Sequence, residues 1–339
     1  MANLSITSRC NRHCNYCFAQ GSMRDPVVGG TAMGLEVYER ALDFLQRSGI
    51  DEVRLLGGEP TLHPFFAGLV DAALGRAMRV SVFTGGLIPR KALEHLARID
   101  SARLTVLVNV LHPASARASE LRRQTLVFEA LAERVVVGVN IAGPGVDAAF
   151  LLDLVDRHAL RRCIRIGLAH PAVDGGNRPL NLRHYAHVGR QAAFVAEMAR
   201  QRGVAIEWDC GWVPCMFPAS AQVMLKDQFD QIGVRCNPIL DILPDGRVIP
   251  CFPLGSVLDD RLSEGIDAAT LRLRFARRMR PFAAVGLFRR CADCRWRAAG
   301  HCTGGCRAAA LLRLCRHGST AARHPVAIAA ARPMSVDCA

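Results

Sequence analysis

Lysine, long apolar runs and a secretory leader are scarce or missing in this sequence of 339 residues. Only Lys91 and Lys226 are lysines, so arginine supplies almost all of the basic charge behind a formal net charge of +13. No apolar run reaches the ~18 residues that a membrane-spanning helix needs. The first ten residues also lack the basic and apolar regions of a signal peptide. We therefore predict a cytoplasmic protein without a membrane partner.

Acidic residues are scarce in one segment of the chain. Residues 272–316 contain twelve arginines and a single acid, Asp293. Such a surface would attract nucleic acid or an acidic peptide. Solvated arginines, or arginines that balance an anionic iron–sulfur cluster, explain the same charge. Charge alone therefore does not predict a nucleic-acid partner.

Cysteine, by contrast, is abundant. The chain has fourteen cysteines, and disulfides are rare in the cytosol. Metal or redox chemistry explains this composition better than a disulfide scaffold does. The densest group lies in "ITSRCNRHCNYCFAQ" (residues 6–20), and the others are concentrated after residue 210.

The middle of the chain alternates between helix-period segments and short β-branched runs, from residue 35 to about 209. With an opening strand at residues 3–7, the pattern gives about six βα units, which implies parallel strands joined by helices. Six units are fewer than the eight of a closed barrel. We therefore predict an α/β fold with a partial (β/α)6 barrel, and a doubly wound sheet is the alternative.

The periodicity ends near residue 210, where Pro, Gly and Cys become frequent. "PILDILPDGRVIPCF" (238–252) predicts a β-hairpin around a Pro-Asp-Gly turn. We divide the chain into a barrel domain (1–209), a cysteine-rich domain (210–315) and an Ala-, Arg- and Pro-rich tail (316–339).

Cys10, Cys14 and Cys17 lie in a loop after the first predicted strand, where they can deliver three thiolates to one centre. A structural zinc site takes four ligands, and a cubane iron–sulfur cluster normally takes four thiolates. Three thiolates would leave one iron open to an external ligand. Buried or zinc-bound thiols are the alternative interpretation.

Cys10-x3-Cys14-x-Tyr16-Cys17 resembles the signature of the radical S-adenosylmethionine (SAM) enzymes, and "LLGGEP" (55–60) resembles their GGE motif. The resemblance implies a [4Fe–4S] cluster on the three cysteines, with SAM bound to its open iron. The SAM-binding residues that it implies are Tyr16, Gly57, Gly58, Glu59, Pro60, Thr84, Asn109 and Asn140.

These residues differ in how well they match the family pattern. Gly57, Gly58 and Glu59 would bind the amino end of SAM. "FTGG" (83–86) stands where the family often has T-N-G, so only Thr84 is carried over and Gly85 is not. Asn109 and Asn140 end the fourth and fifth predicted strands, where ordinary strand-end caps explain them equally well.

The C-terminal cysteines resemble the SPASM extension, which carries two auxiliary [4Fe–4S] clusters. In this chain seven residues separate Cys294 from Cys302, whereas five separate the corresponding cysteines in most members of the family. The resemblance implies a first auxiliary cluster on Cys236, Cys251 and Cys306, with Cys215 or Cys210 as the fourth ligand. It implies a second on Cys291, Cys294 and Cys302, with Cys315 or Cys338 as the fourth.

Several nearby residues receive no firm role. Whichever of Cys210 and Cys215 is not a ligand would be a hydrogen-atom donor, or simply a packed thiol. Cys163 is predicted to be a core residue. His170, Tyr185, Glu207 and Asp209 lie near strand ends or loops and are predicted to be structural. No catalytic acid or base is assigned.

Zinc is the rival for the C-terminal cysteines. One Zn²⁺ on Cys291, Cys294, Cys302 and Cys306, with the arginine-rich flank, would make a non-catalytic nucleic-acid module.

The resemblance implies an enzyme that reductively cleaves SAM and abstracts a hydrogen atom from a substrate. We expect a ribosomally made peptide that becomes cross-linked, thioether-bridged, epimerised or oxidised. A small molecule such as a sugar or an antibiotic intermediate is the alternative. An electron donor such as flavodoxin or ferredoxin, and a separate peptide-recognition protein, are the expected partners. Phe252 stands where sulfatase-maturating relatives have Asp, so formylglycine formation is not predicted.

Overall fold

The computed structural model describes residues 2–24, 31–145, 147–224, 236–283 and 285–318. Its strands are β1 Asn3–Thr7, β2 Glu52–Gly57, β3 Arg79–Thr84, β4 Leu104–Asn109, β5 Val135–Ile141, β6 Cys163–Leu168, β7 Ala205–Trp208, β8 Asp241–Ile242, β9 Arg247–Ile249 and β10 Asp260–Arg261. Its α-helices are α1 Gln20–Arg24, α2 Leu35–Arg47, α3 Phe66–Gly75, α4 Arg90–Ala97, α5 Ala118–Leu131, α6 Phe150–Arg157, α7 Tyr185–Gln201, α8 Ala219–Met224, α9 Ala268–Ala283, α10 Arg295–Ala298 and α11 Arg307–Gly318.

All ten strands form one sheet in the order β10-β9-β8-β1-β2-β3-β4-β5-β6-β7. Strands β1 to β7 are parallel and lie in chain order. A doubly wound sheet would reverse its direction of growth at a switch point, and this sheet does not. Within the described residues, β10 and β7 are free edges. The predicted α/β fold is confirmed, with the sheet order of an open, partial barrel.

The strands form where the sequence places β-branched runs, such as "LTVLVN" in β4 and "VVVGVNI" in β5. Such nearly continuous apolar strands are typical of parallel sheets covered by helices. The covering helices are amphipathic, and α2 buries Tyr38, Leu42 and Leu45 against the sheet. The Tyr38 hydroxyl donates a hydrogen bond of 2.7 Å to the Leu69 carbonyl and so links α2 to α3.

The predicted hairpin is present as β8 and β9, which pair antiparallel. Sequence reasoning did not predict that β8 also pairs in parallel with β1. Asn3 Nδ2 donates to Asp241 Oδ1 at 2.7 Å across this pair. The sheet therefore continues past residue 209, and residues on both sides of that boundary share one hydrophobic core.

The C-terminal end of the described chain is helical. Helix α11 runs through Cys315 to Gly318, so the first residues of the predicted tail continue a helix. Residues 319–339, with Cys338, lie outside the described residues. Within the described part of the chain, every helix is too short or too polar to cross a bilayer.

Two leucines test whether the sheet core carries the stability. Leu55 in β2 is fully buried, whereas Leu35 at the start of α2 is 55% exposed. Leu55→Ala should lower the free energy of unfolding by about 2–5 kcal/mol, because it removes buried methyl groups and leaves a cavity. Leu35→Ala should change it by less than about 0.5 kcal/mol. Anaerobic urea unfolding monitored by circular dichroism measures both, and equal effects would contradict this placement of the core.

Candidate active site

A cavity of about 2210 Å³ lies along one face of the sheet, from strand starts such as Glu52 and Arg79 to the edge where the carboxyl ends of the parallel strands meet. In an open α/β sheet this edge is the usual place for a ligand. Seven of the eight residues predicted to bind SAM line it: Tyr16, Gly57, Gly58, Glu59, Thr84, Asn109 and Asn140. Pro60 does not line it and instead begins a buried 3-10 helix, Pro60–Leu62.

The three N-terminal thiols share one loop on the cavity wall. Cys10, Cys14 and Cys17 all line the cavity and are partly exposed. The Cys17 amide donates to the Cys14 carbonyl at 3.1 Å, which closes the loop into a turn. Burial, together with the neighbouring Cys14 and Cys10 thiols, raises the pKa of Cys17 to about 11. The loop therefore presents three thiols to the same space.

Gly57 and Gly58 allow the start of this loop to approach the end of β2 closely. The Gly58 amide donates to the Thr7 carbonyl at 2.8 Å, and the Glu59 amide donates to the Arg9 carbonyl at 2.7 Å. A Cβ on Gly57 would lie 2.2 Å from the Thr7 oxygen, and one on Gly58 would lie 2.2 Å from the Arg9 oxygen. Gly57 also has a φ of +144°, a conformation that residues with a side chain rarely adopt. Only glycine fits at either position.

The Glu59 side chain joins the ends of β2 and β3. It is only 1% exposed. Its carboxylate accepts hydrogen bonds from the Thr84 hydroxyl at 2.8 and 2.9 Å, the Gly85 amide at 2.9 Å and the Thr61 hydroxyl at 2.6 Å. The Thr84 hydroxyl thus points at Glu59, and the hydrogen bonds between them hold the part of the cavity lining where β2 and β3 end.

Arg12 is a cavity residue that sequence reasoning missed. Its Nη1 donates to the Asn109 carbonyl at 3.0 Å and to the Gly85 carbonyl at 3.3 Å. A Cβ on Gly85 would lie 2.7 Å from the Arg12 Cδ, so the glycine that replaces Asn in the T-N-G pattern leaves room for this arginine. The position of Arg12 between two motif cysteines was the only signal in the sequence.

Asn109 and Asn140 lie side by side at their strand ends. The Asn140 amide donates to the Asn109 side-chain oxygen at 3.3 Å. Arg165 forms an ion pair of 2.8 Å with Asp209 on the same wall. Asp241 is a buried carboxyl that also lines the cavity, and burial raises its pKa to about 7.

Four more thiols line the same cavity: Cys210, Cys236, Cys251 and Cys306. His170, predicted to be structural, is buried beside them, with its Nε2 2.8 Å from the Cys210 carbonyl oxygen. Its Nδ1 is buried without a hydrogen-bond partner. Burial alone would lower the pKa of His170, but the Cys306 and Cys210 thiols raise it.

The remaining C-terminal thiols do not line the cavity, and they include Cys215, Cys291, Cys294, Cys302 and Cys315. Burial and the neighbouring Cys215, Cys294 and Cys291 thiols raise the pKa of Cys302. Cys315 packs against the hydrophobic core from α11.

The thiols match iron–sulfur chemistry in the kind and number of their donors. Across the described residues, no three His, Cys, Asp or Glu side chains already stand at the mutual spacing of metal ligands. The thiols therefore fit a cluster by the chemistry of their donors and by their grouping along the cavity.

Comparison with known sequences identifies the N-terminal part of the chain. A sequence profile of the radical SAM superfamily matches residues 4–141. An S-adenosylmethionine-dependent nucleotide dehydratase of Selenomonas ruminantium is 35% identical over 109 residues, which are 31% of this chain and 38% of that protein. A GTP 3',8-cyclase of Mannheimia succiniciproducens is 32% identical over 112 residues, 32% of this chain and 33% of the cyclase. The chain thus matches 38% and 33% of the lengths of these two relatives.

Solved structures resemble a larger part of the chain. SuiB of Streptococcus suis, bound to S-adenosylmethionine, aligns with a TM-score of 0.66 over 96% of this chain and 75% of that chain, at 15% identity. The anSMEcpe protein with bound AdoMet and Kp18Cys peptide aligns with a TM-score of 0.63 over 97% of this chain and 94% of that chain, at 16% identity. At these identities the likeness establishes the fold.

The Glu59 network can be tested with a matched pair of variants at Thr84. Thr84→Val removes a hydroxyl that donates to a buried carboxylate, and should lower the free energy of unfolding by about 1–3 kcal/mol. Thr84→Ser keeps the hydroxyl and loses one methyl group, so it should retain most of that stability. Urea unfolding measures both. A Val variant as stable as the Ser variant would show that the hydrogen bond does not support the site.

Proposed function

We propose, because residues 4–141 match the radical SAM superfamily, that this protein reductively cleaves SAM and abstracts a hydrogen atom from a substrate in the cavity. The observation that carries the proposal is that the Cys10, Cys14 and Cys17 loop and the Gly57–Glu59 backbone are hydrogen-bonded to each other on one cavity wall. When bound there, a [4Fe–4S] cluster and SAM would supply a carbon-centred radical.

The residues of this chain would hold and orient those cofactors. Cys10, Cys14 and Cys17 would bind three irons of the cluster. The backbone of Gly57 and Gly58 would lie against the amino end of SAM. Asn109 and Asn140 would offer amide groups to its polar end, and the surrounding walls would keep water from the radical.

We propose a peptide as the substrate. The cavity is larger than the ~300–1,000 Å³ of a typical small-molecule site, so it has room for SAM and for a further segment of chain. Among the described residues, its lining has nine arginines and five carboxylates, which favours an acidic segment. The similar fold of anSMEcpe binds AdoMet together with a peptide. We further propose that a flavodoxin or ferredoxin supplies electrons and that a separate protein delivers the peptide.

A nucleotide is the second candidate substrate. Both sequence relatives carry names that place a nucleotide in their reactions, and an arginine-rich cavity also suits phosphate groups. The superfamily assignment disfavours the third possibility, a non-catalytic zinc module.

One anaerobic assay separates the two substrate classes. The reconstituted protein is mixed with SAM and dithionite, and 5′-deoxyadenosine is quantified alone, with GTP, and with the product of any short reading frame beside the gene. Stimulation by the peptide, with a change in its mass, would support a peptide-modifying enzyme. Stimulation by GTP alone would support the nucleotide alternative, and no 5′-deoxyadenosine under any condition would contradict the proposed chemistry.

A triple variant tests the ligand assignment. Cys10→Ala, Cys14→Ala and Cys17→Ala together should reduce 5′-deoxyadenosine formation to the rate without enzyme, because SAM would have no cluster to bind. Iron bound by the C-terminal thiols should remain, and iron analysis measures it. Cys163→Ala is the control, since Cys163 in β6 does not line the cavity. SAM cleavage by the triple variant would exclude this loop as the cluster site.

A further inference from the structure

Cys210 and Cys215 are separated by only four residues, and the sequence leaves open which thiol group each one joins. Any choice of ligands rests on the proposed iron–sulfur chemistry, and a wrong choice would leave that chemistry standing.

Trp212 fixes the segment between the two cysteines. Its side chain is fully buried, and its Nε1 donates to the Ile166 carbonyl at 3.1 Å. Trp208 packs edge-on against it, with ring centroids 4.9 Å apart, and the Phe217 ring lies 5.6 Å from Trp212 and 5.8 Å from Trp208. With the tryptophan anchored in the core, the chain on either side of it has a fixed course.

Before Trp212, the chain follows the cavity wall. Cys210 comes two residues after β7, and it lines the cavity with Cys236, Cys251 and Cys306. The Cys210 carbonyl oxygen lies 2.8 Å from the Nε2 of His170, which lines the same cavity. Cys210 is therefore a neighbour of the first thiol group.

After Trp212, the chain leaves the cavity and meets two C-terminal loops. The Leu287 amide donates to the Gly304 carbonyl at 3.0 Å, which joins these loops. The first loop leads directly to Cys291, whose Cβ lies only 2.4 Å from where a Cβ on Gly286 would stand. In the second, the Gly304 amide lies 3.3 Å from the Cys302 Sγ, to which it donates.

Val213 brings the segment of Cys215 onto the second loop. A Cβ on Gly305 would lie 3.2 Å from Val213 Cγ1, and Cys215 follows two residues later in the 3-10 helix Pro214–Met216. The Leu287 side chain lies against the same glycine, with its Cδ1 2.4 Å from where the Gly305 Cβ would stand. Cys215 therefore lies beside the second thiol group.

We propose that Cys215 is the fourth thiolate of the group formed by Cys291, Cys294 and Cys302, and that Cys210 is the fourth thiolate of the group formed by Cys236, Cys251 and Cys306. The short segment around Trp212 then ties both auxiliary clusters to the end of β7. The second cluster needs no ligand from Cys315, and neither Cys210 nor Cys215 is left as a hydrogen-atom donor.

The test compares three alanine variants of the full chain. Cys210→Ala, Cys215→Ala and Cys315→Ala are each made in the background without Cys10, Cys14 and Cys17, so that only the auxiliary clusters contribute. After anaerobic reconstitution, iron and sulfide are counted, and the dithionite-reduced proteins are examined by electron paramagnetic resonance. Cys215→Ala and Cys210→Ala should each remove or alter one cluster signal, and the two signals should differ. Cys315→Ala should keep both signals and the full iron content.

Three results would overturn the assignment. They are loss of a cluster signal in Cys315→Ala, unchanged signals in Cys215→Ala, and loss of the same signal in the Cys210 and Cys215 variants. If Cys215→Ala does not fold, Cys315→Ala still decides, because retention of both signals supports the assignment and loss of one overturns it. A parent protein that binds zinc but no iron would instead refute the proposed function.

Discussion

Two backbone hydrogen bonds, from Gly58 to Thr7 and from Glu59 to Arg9, are the constraint on which the rest of the site depends. They continue the parallel pairing of β1 with β2 beyond the strands themselves. The cysteine loop begins at Arg9, so its first residue is held to the segment after β2 by a backbone hydrogen bond like those between strands. Because no Cβ fits at residues 57 and 58, the two backbones can approach this closely only with glycine at both positions. The glycines therefore serve the chain's own packing first, and any ligand meets a wall that they have already shaped.

Side-chain hydrogen bonds connect this pair of backbone contacts to the ends of the neighbouring strands. Glu59, which follows β2, accepts hydrogen bonds from Thr84 and Gly85 at the end of β3. Arg12, in the cysteine loop, donates hydrogen bonds to the carbonyls of Gly85 and Asn109 at the ends of β3 and β4. Asn140 then joins Asn109 from β5. Four neighbouring strand ends and one loop are thus tied into a single polar network, which orders the cavity wall before any cofactor binds.

Sequence reasoning predicted what depends on local pattern. The order of strands and helices followed from periodicity, and the turn of the β8–β9 hairpin followed from Pro-Asp-Gly. The motif cysteines and glycines could be proposed from the sequence because their spacing is short. The pairing of β8 with β1, the reach of Arg12 and the burial of His170 against Cys210 depend on residues far apart in the chain. No local pattern records those distances, so only the folded chain could show them.

Three arginines lie beside thiols that are proposed to bind clusters. Burial raises the pKa of Cys10 and of Cys215, and it raises that of Cys236 to about 12. Buried thiols of this kind give up their protons reluctantly, yet cluster ligands must be thiolates, so binding iron has to release those protons. Arg12 opposes the shift at Cys10, Arg290 at Cys215 and Arg307 at Cys236. Each of the three thiol groups thus has its own arginine, which would stabilise the anionic form that a cluster requires. Part of the positive charge would therefore serve the protein's own metal sites.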